Sequence, residues 1–165
     1  MPNSDSNIVV QVSAEQLWQF SLALYPKVKN LCLQWQDQLG ANVNLLLLLC
    51  YLEQQQLSLS GVELQQLATA LDNFSRRFTR PLRALRQSSA TAPLSAAQQQ
   101  TLKQTLLQAE LELEKLEQQL LLQHCPALHT ATSALLEQYL ALLTDNPGRY
   151  QRQLFDLRQT IKQPG

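Results

Sequence analysis

The sequence predicts an all-α fold: a helical bundle of about six to seven helices packed around one buried helix. Three observations carry that prediction. The 165 residues include 37 leucines and 25 glutamines, both good helix formers. Only four glycines occur, Gly40, Gly61, Gly148 and Gly165, too few for a fold built on tight turns and strands. Apolar residues recur at steps of three and four along most of the chain.

Residues 1–12 are expected to be loose, although "IVVQV" at 8–12 has the composition of a short extended piece. A single helical domain is expected over 13–163. Ser13 and Gln16 have capping-box spacing, and Leu17, Trp18, Phe20, Leu24 and Tyr25 follow in a helix that Pro26 should end. Pro26 suits the first turn of a second helix carrying Val28, Leu31, Cys32, Trp35 and Leu39. Gly40 can terminate it, and Asn42 can cap the next helix by accepting a backbone N–H bond.

That next helix, 43–56, is the predicted centre of the bundle. Its uninterrupted apolar run, Leu45 to Leu52, is far short of the ~20 residues a bilayer requires, so burial among other helices is its expected fate and no membrane association follows. Ser60 with Glu63 then opens an arm with a seam at Leu64, Leu67, Leu71, Phe74 and Phe78. Pro81 should kink or restart this arm before it ends near Arg86. After a linker at 87–95, Ser95 with Gln98 opens the longest helix, to about 123, with a seam at Leu102, Leu106, Ala109, Leu113, Leu116 and Leu120. Arms 61–86 and 96–123 of similar length predict a long antiparallel helical hairpin, and a symmetric one would turn near residue 91. Leu128, Thr132, Leu135, Tyr139 and Leu142 suggest a further helix, and Tyr150, Leu154, Leu157 and Ile161 a last one. Most seams are expected to fold back on this chain; self-association is the other use open to them.

With charged residues at 16% and a formal net charge of zero, whole-molecule attraction to nucleic acid or anionic lipid is not suggested, so any electrostatic function must be local. Three widely spaced cysteines, Cys32, Cys50 and Cys125, do not form a disulfide pattern, and the N-terminus lacks the features of a signal peptide. A cytoplasmic protein with reduced thiols is the expectation. The phosphate-cradling, nucleophile-elbow and zinc-hydrolase motifs are absent, which weighs against the common catalytic classes and points to no cofactor. His124, Cys125 and His129 are zinc-type donors, but Pro126 lies between them and a helix corner explains them better, so no metal is expected.

The most suggestive local feature is "RRFTRPLRALR". On a continuous helix Arg76, Arg80 and Arg83 fall within about 60° of one another, with Arg86 adjacent. Guanidinium groups so spaced can grip phosphates or a partner's carboxylates. Two plainer readings compete: a solvated helix face, or internal pairing with the Glu110, Glu114 and Glu117 stripe. A hairpin turning near residue 91 would set Arg83 opposite about residue 99, which leaves most of that acidic stripe out of reach. Trp18 at helical spacing reads first as core, and Asn42 and Asn44 as a cap and a first-turn residue, with a polar contact point as the functional alternative.

Residues 17–52, with "RPLRALR" at 80–86, resemble an uncharacterised bacterial family of about this length. Its marks are Leu-Trp-x-Phe, a Leu-Gln-Asp element, Gly-Ala-(Asp/Asn)-Val-Asn-Leu and a later Arg-x-Leu-Arg. They match here at Leu17, Trp18, Phe20, Gln36, Asp37, Gly40, Ala41, Val43, Asn44, Leu45, Arg80, Leu82 and Arg83. The resemblance implies a small soluble helical protein and supplies no chemistry.

Three functions are therefore carried forward. The favoured one is a non-enzymatic interaction or adaptor protein that binds a protein partner through leucines left over from folding, Leu107, Leu111, Leu121 and Leu122. The second is an RNA- or ribosome-associated factor that sets Arg76, Arg80, Arg83 and Arg86 on phosphates. The third, ranked last, is small-ligand binding or catalysis inside the bundle, which requires a concavity reached by several of Asp37, Asn44, Arg80 and Arg83.

Overall fold

The computed structural model describes residues 11–162. The sequence expectations for residues 1–10, including most of the extended "IVVQV" piece, lie outside them. Among the described residues the architecture is all-α: α1 Ala14–Leu39, α2 Val43–Gln54, α3 Gly61–Phe74, α4 Arg80–Ser88, α5 Ala96–His124, α6 Leu135–Leu143 and α7 Gln151–Lys162.

α2 is the axis. Asn42 caps it by accepting from the backbone N–H groups of Asn44 at 2.8 Å and Leu45 at 3.2 Å. Gly40, at φ 71°, ends α1 in the left-handed conformation that a side chain would disfavour. Leu45, Leu46, Leu47, Leu48, Leu49, Cys50 and Leu52 are all buried, with α1, α3, α5, α6 and α7 packed around them. Each such leucine contributes on the order of 2 kcal/mol of transfer free energy. The helix stops two residues before the predicted end because Gln56 turns to φ 56°.

The structure departs from the sequence reading at four places. Pro26 does not end a helix, because α1 runs straight through it. Its buried positions, Leu17, Ser21, Leu24, Val28, Cys32 and Trp35, form one stripe across the proline. Packing along that stripe outweighs the cost of the missing backbone donor.

The second departure is at 128–134, where no helix forms. His129 and Thr130 instead pair antiparallel with Ser58 and Leu57 in a two-residue ladder, and α6 starts only at Leu135.

The third is the packed face of α5. Ala109 and Leu116 of the predicted seam are exposed, while Glu110, Glu117, Gln118 and Leu121 are buried, so the helix is rotated by about one residue and turns a polar row inward.

The fourth is the hairpin register. Five residues of π-helix, Ser75–Thr79, absorb the break before Pro81 and join α3 to α4. A 3₁₀ turn, Ser89–Thr91, then leads into a loop that lies against the first turns of α5, where the Gln99 side chain donates to the Ala92 carbonyl at 2.7 Å. That loop uses its length alongside α5 rather than reversing at residue 91. Arg83 consequently meets Glu110, not a residue near 99.

Candidate functional site: a cleft with a polar floor

α1, the start of α2, α4 and α5 enclose a cleft of about 890 Å³. Trp18, Leu22, Tyr25 and Leu33 of α1 supply an apolar wall, and Leu107 and Leu111 of α5 face it. Asp37, Asn42 and Asn44 enter from the α1–α2 corner, and Arg80, Arg83 and Arg86 enter from the α4 side. Arg76 is not in the lining. It stays exposed and pairs with Asp72, the residue that also receives Arg80 at 3.0 Å.

The arginine stripe is neutralised more fully than the symmetric hairpin implied. Arg83 donates to Glu110 at 3.1 Å and lies 3.9 Å from Glu114, and Arg86 pairs with the same Glu110 carboxylate. Burial alone would raise the pKa of Glu110, yet hydrogen bonds from Arg86 and Arg83 hold it below the usual carboxylate value. Glu114, one turn on, has the opposite fate. Burial, with the neighbouring Glu110 charge, pushes it up to about 7 against the pull of Arg83.

The floor is a hydrogen-bonded network of nearly inaccessible side chains. Asn44 donates to the Glu114 backbone carbonyl at 3.2 Å and to Glu117 Oε1 at 2.9 Å, and Asn42 donates to the same Oε1 at 3.3 Å. Gln118 donates to Ser21 Oγ at 2.8 Å and to Asn44 Oδ1 at 3.1 Å. The Tyr139 hydroxyl accepts from the Asn42 backbone N–H at 2.8 Å, and burial pushes this phenol up to about 12.

The candidates from sequence thus separate. Trp18, Asp37, Asn42, Asn44, Arg80, Arg83 and Arg86 share one cleft, and Arg76 stands apart. Trp18 is only partly buried and carries Lys115 Nζ 5.2 Å from its ring centroid, so it belongs to the cleft wall and not to the deep core. Sequence reasoning passed over Ser21, Glu117 and Gln118 as floor residues. Ser21 was visible as the polar member of the α1 stripe; Gln118 gave no local signal. The His124, Cys125 and His129 donors converge on nothing, and among the described residues no group of three or more His, Cys, Asp or Glu is placed to hold a metal ion. No helix there is long and apolar enough to cross a membrane.

Fold and cleft together define an all-α bundle protein with a cleft between its helices. Residues 16–121 match a family described as "Protein of unknown function (DUF2390)", and the chain belongs to that family. The matched span holds every residue of the cleft, from Trp18 to Gln118, while α6 and α7 lie beyond it. No curated protein and no solved structure matches the chain.

Proposed function

We propose that this is a non-enzymatic binding protein that takes a small molecule into the cleft between α1, α4 and α5. The observation that supports this most is convergence. Asp37, Asn44, Arg80 and Arg83, far apart in sequence, line one concavity with aromatic and aliphatic walls. Its volume of about 890 Å³ falls in the range of about 300–1,000 Å³ usual for ligand sites. A cytoplasmic setting suits it, since Cys32, Cys50 and Cys125 are free thiols.

A protein partner is the second reading, favoured by Leu107 and Leu111, which remain 42% and 38% exposed on successive turns of α5. Its support has narrowed, because Leu121 is buried and Leu122 packs against the core. RNA binding has lost more of its support, since Arg76, Arg80, Arg83 and Arg86 each already face a carboxylate.

The test is equilibrium dialysis of the protein against the small-molecule fraction of a cell extract, in parallel with the cleft-filling variant Leu111→Trp. A compound retained by the native protein and lost in the variant supports the proposal. Retention of nothing, alongside salt-sensitive capture of ribosomal RNA, overturns it.

A further inference from the structure

The floor of the cleft has an excess of acceptors. Glu117 and Gln118 are each only 2% exposed, and both line the cleft. Glu117 Oε2 and Gln118 Oε1 are nevertheless without a hydrogen-bond partner among the described residues. Leaving such groups unsatisfied is costly, and two on adjacent residues call for an explanation.

Reversing the side-chain amides does not remove the excess. Asn44 must point its nitrogen at the Glu114 carbonyl and the Glu117 carboxylate, because neither backbone carbonyl nor carboxylate can donate. Its oxygen then faces Gln118, which must answer with nitrogen. Both amide hydrogens of Asn44 and both of Gln118 are thereby consumed. The second amide hydrogen of Asn42 and the Tyr139 hydroxyl hydrogen reach neither oxygen, so what remains at Glu117 and Gln118 is a pair of acceptors and the missing group is a donor.

Charge gives that donor a sign. The charged residues of the cleft lining are balanced, Asp37, Glu110, Glu114 and Glu117 against Lys29, Arg80, Arg83 and Arg86, but Arg83 and Arg86 are engaged by Glu110 and Arg80 by Asp72. Among the described residues, the Glu117 side chain receives hydrogen bonds only from the neutral amides of Asn42 and Asn44. A buried carboxylate served only by neutral donors favours a cation.

We infer that the inner end of the cleft, at Glu117 and Gln118, binds an organic cation carrying at least two N–H donors, a primary ammonium or a guanidinium, on a small molecule whose apolar part lies between Trp18 and Leu111. This rests on the cleft being a small-molecule site. One N–H satisfies Glu117 Oε2 and a second satisfies Gln118 Oε1, and the aromatic wall accepts the cation's stem.

The test titrates the protein with n-butylguanidinium and n-butylammonium, with butanol and butyrate as controls, and follows the Asn44 and Gln118 side-chain amides by NMR. The expected result is that a cation binds, shifts those amides, and weakens on the order of 30-fold or more in Glu117→Gln. Leu111→Trp, at a partly exposed position, should also abolish binding, and it provides the comparison if Glu117→Gln does not fold. Binding of butanol or butyrate as tight as the cations, or cation binding that leaves the floor amides unmoved, overturns the cation assignment. In that case a dialysis compound still lost in Leu111→Trp leaves the cleft standing; if no compound is retained, both fail. Blocked arginine, N-acetyl-arginine methylamide, is titrated alongside. Weaker binding than butylguanidinium supports a free small molecule, and tighter binding overturns that part by assigning the cation to a polypeptide side chain.

Discussion

Arg158 of α7 holds Glu53 of α2 in a two-pronged contact, Nε to Oε1 at 2.9 Å and Nη2 to Oε2 at 3.0 Å, while reaching Glu137 of α6 with the same guanidinium. Glu53 also accepts from the Leu136 backbone N–H at 2.9 Å, so its carboxylate sits at the N-terminus of α6. Three helices that share no local sequence thus meet at one charge. Removing the cation strands a carboxylate whose side chain is only 13% exposed. Arg158→Ala should lower unfolding free energy by about 2–4 kcal/mol, read from urea denaturation, because breaking a buried pair leaves the remaining charge uncompensated. A loss within about 0.5 kcal/mol would place this contact among ordinary surface pairs.

Pro26 leads to a prediction of the opposite sign. It withholds the N–H that would satisfy the Leu22 carbonyl one turn back, and both residues line the cleft. Pro26→Ala restores that bond but gives the unfolded chain more freedom. The expected net gain is about 1–2 kcal/mol, seen as a higher urea midpoint with an unchanged slope. Lower stability would mean that the proline's restriction of the unfolded chain outweighs the hydrogen bond it withholds.

The two adjacent carboxylates of α5 set opposing pH dependences. Glu110, held low by its arginines, stabilises the fold above the usual carboxylate range, and that contribution is lost on acidification. Glu114 is raised from 4.5 to about 7, so its contribution is present below its unfolded value and is lost as pH climbs through about 7. Glu114→Gln should remove only the second effect. At pH 8 the variant is expected to be more stable than the native protein by about 1–2 kcal/mol, a figure reduced because a third of the side chain reaches solvent. Equal stability of the two proteins from pH 5 to pH 8 would show that Glu114 titrates normally.

Much of the fold was legible because its signals are local. The run Leu45–Leu49, the caps at Asn42, Ser60 and Ser95, and the left-handed stop at Gly40 each act within a turn of themselves. The misreadings arose where a distant surface decides. Pro26 is tolerated because packing on both sides of it is continuous, and the unbroken spacing from Leu17 through Ser21 to Val28 was the available clue. α5 offered two candidate faces, the seam through Ala109 and Leu116 and the glutamates one residue on, and only Asn44 and Arg83 across the cleft choose between them. Asp37, Asn44, Arg80 and Arg83 could be named from sequence as a set, but their meeting in one cleft depends on the register of α4 against α5. An eleven-residue difference between residue 99 and Glu110 is invisible to periodicity, since either pairing keeps a helical face inward.

The cysteines provide a readout of the core itself. Cys32 and Cys50 are fully buried, and burial pushes Cys32 up to about 12 and Cys50 well above its ordinary value. Cys125, at the end of α5, is only partly covered, though burial also raises it, to about 11. The thiolate is the reactive form, so all three should be slow at neutral pH, and Cys125 alone has a route to solvent. Iodoacetamide at pH 8, followed by intact-mass measurement, should therefore add a single slow label to the native protein and three rapid ones in urea. Peptide mapping should find the native label at Cys125. Native labelling of Cys50 at a comparable rate would mean that α2 is reached by local opening, because Cys50 is fully buried in that helix.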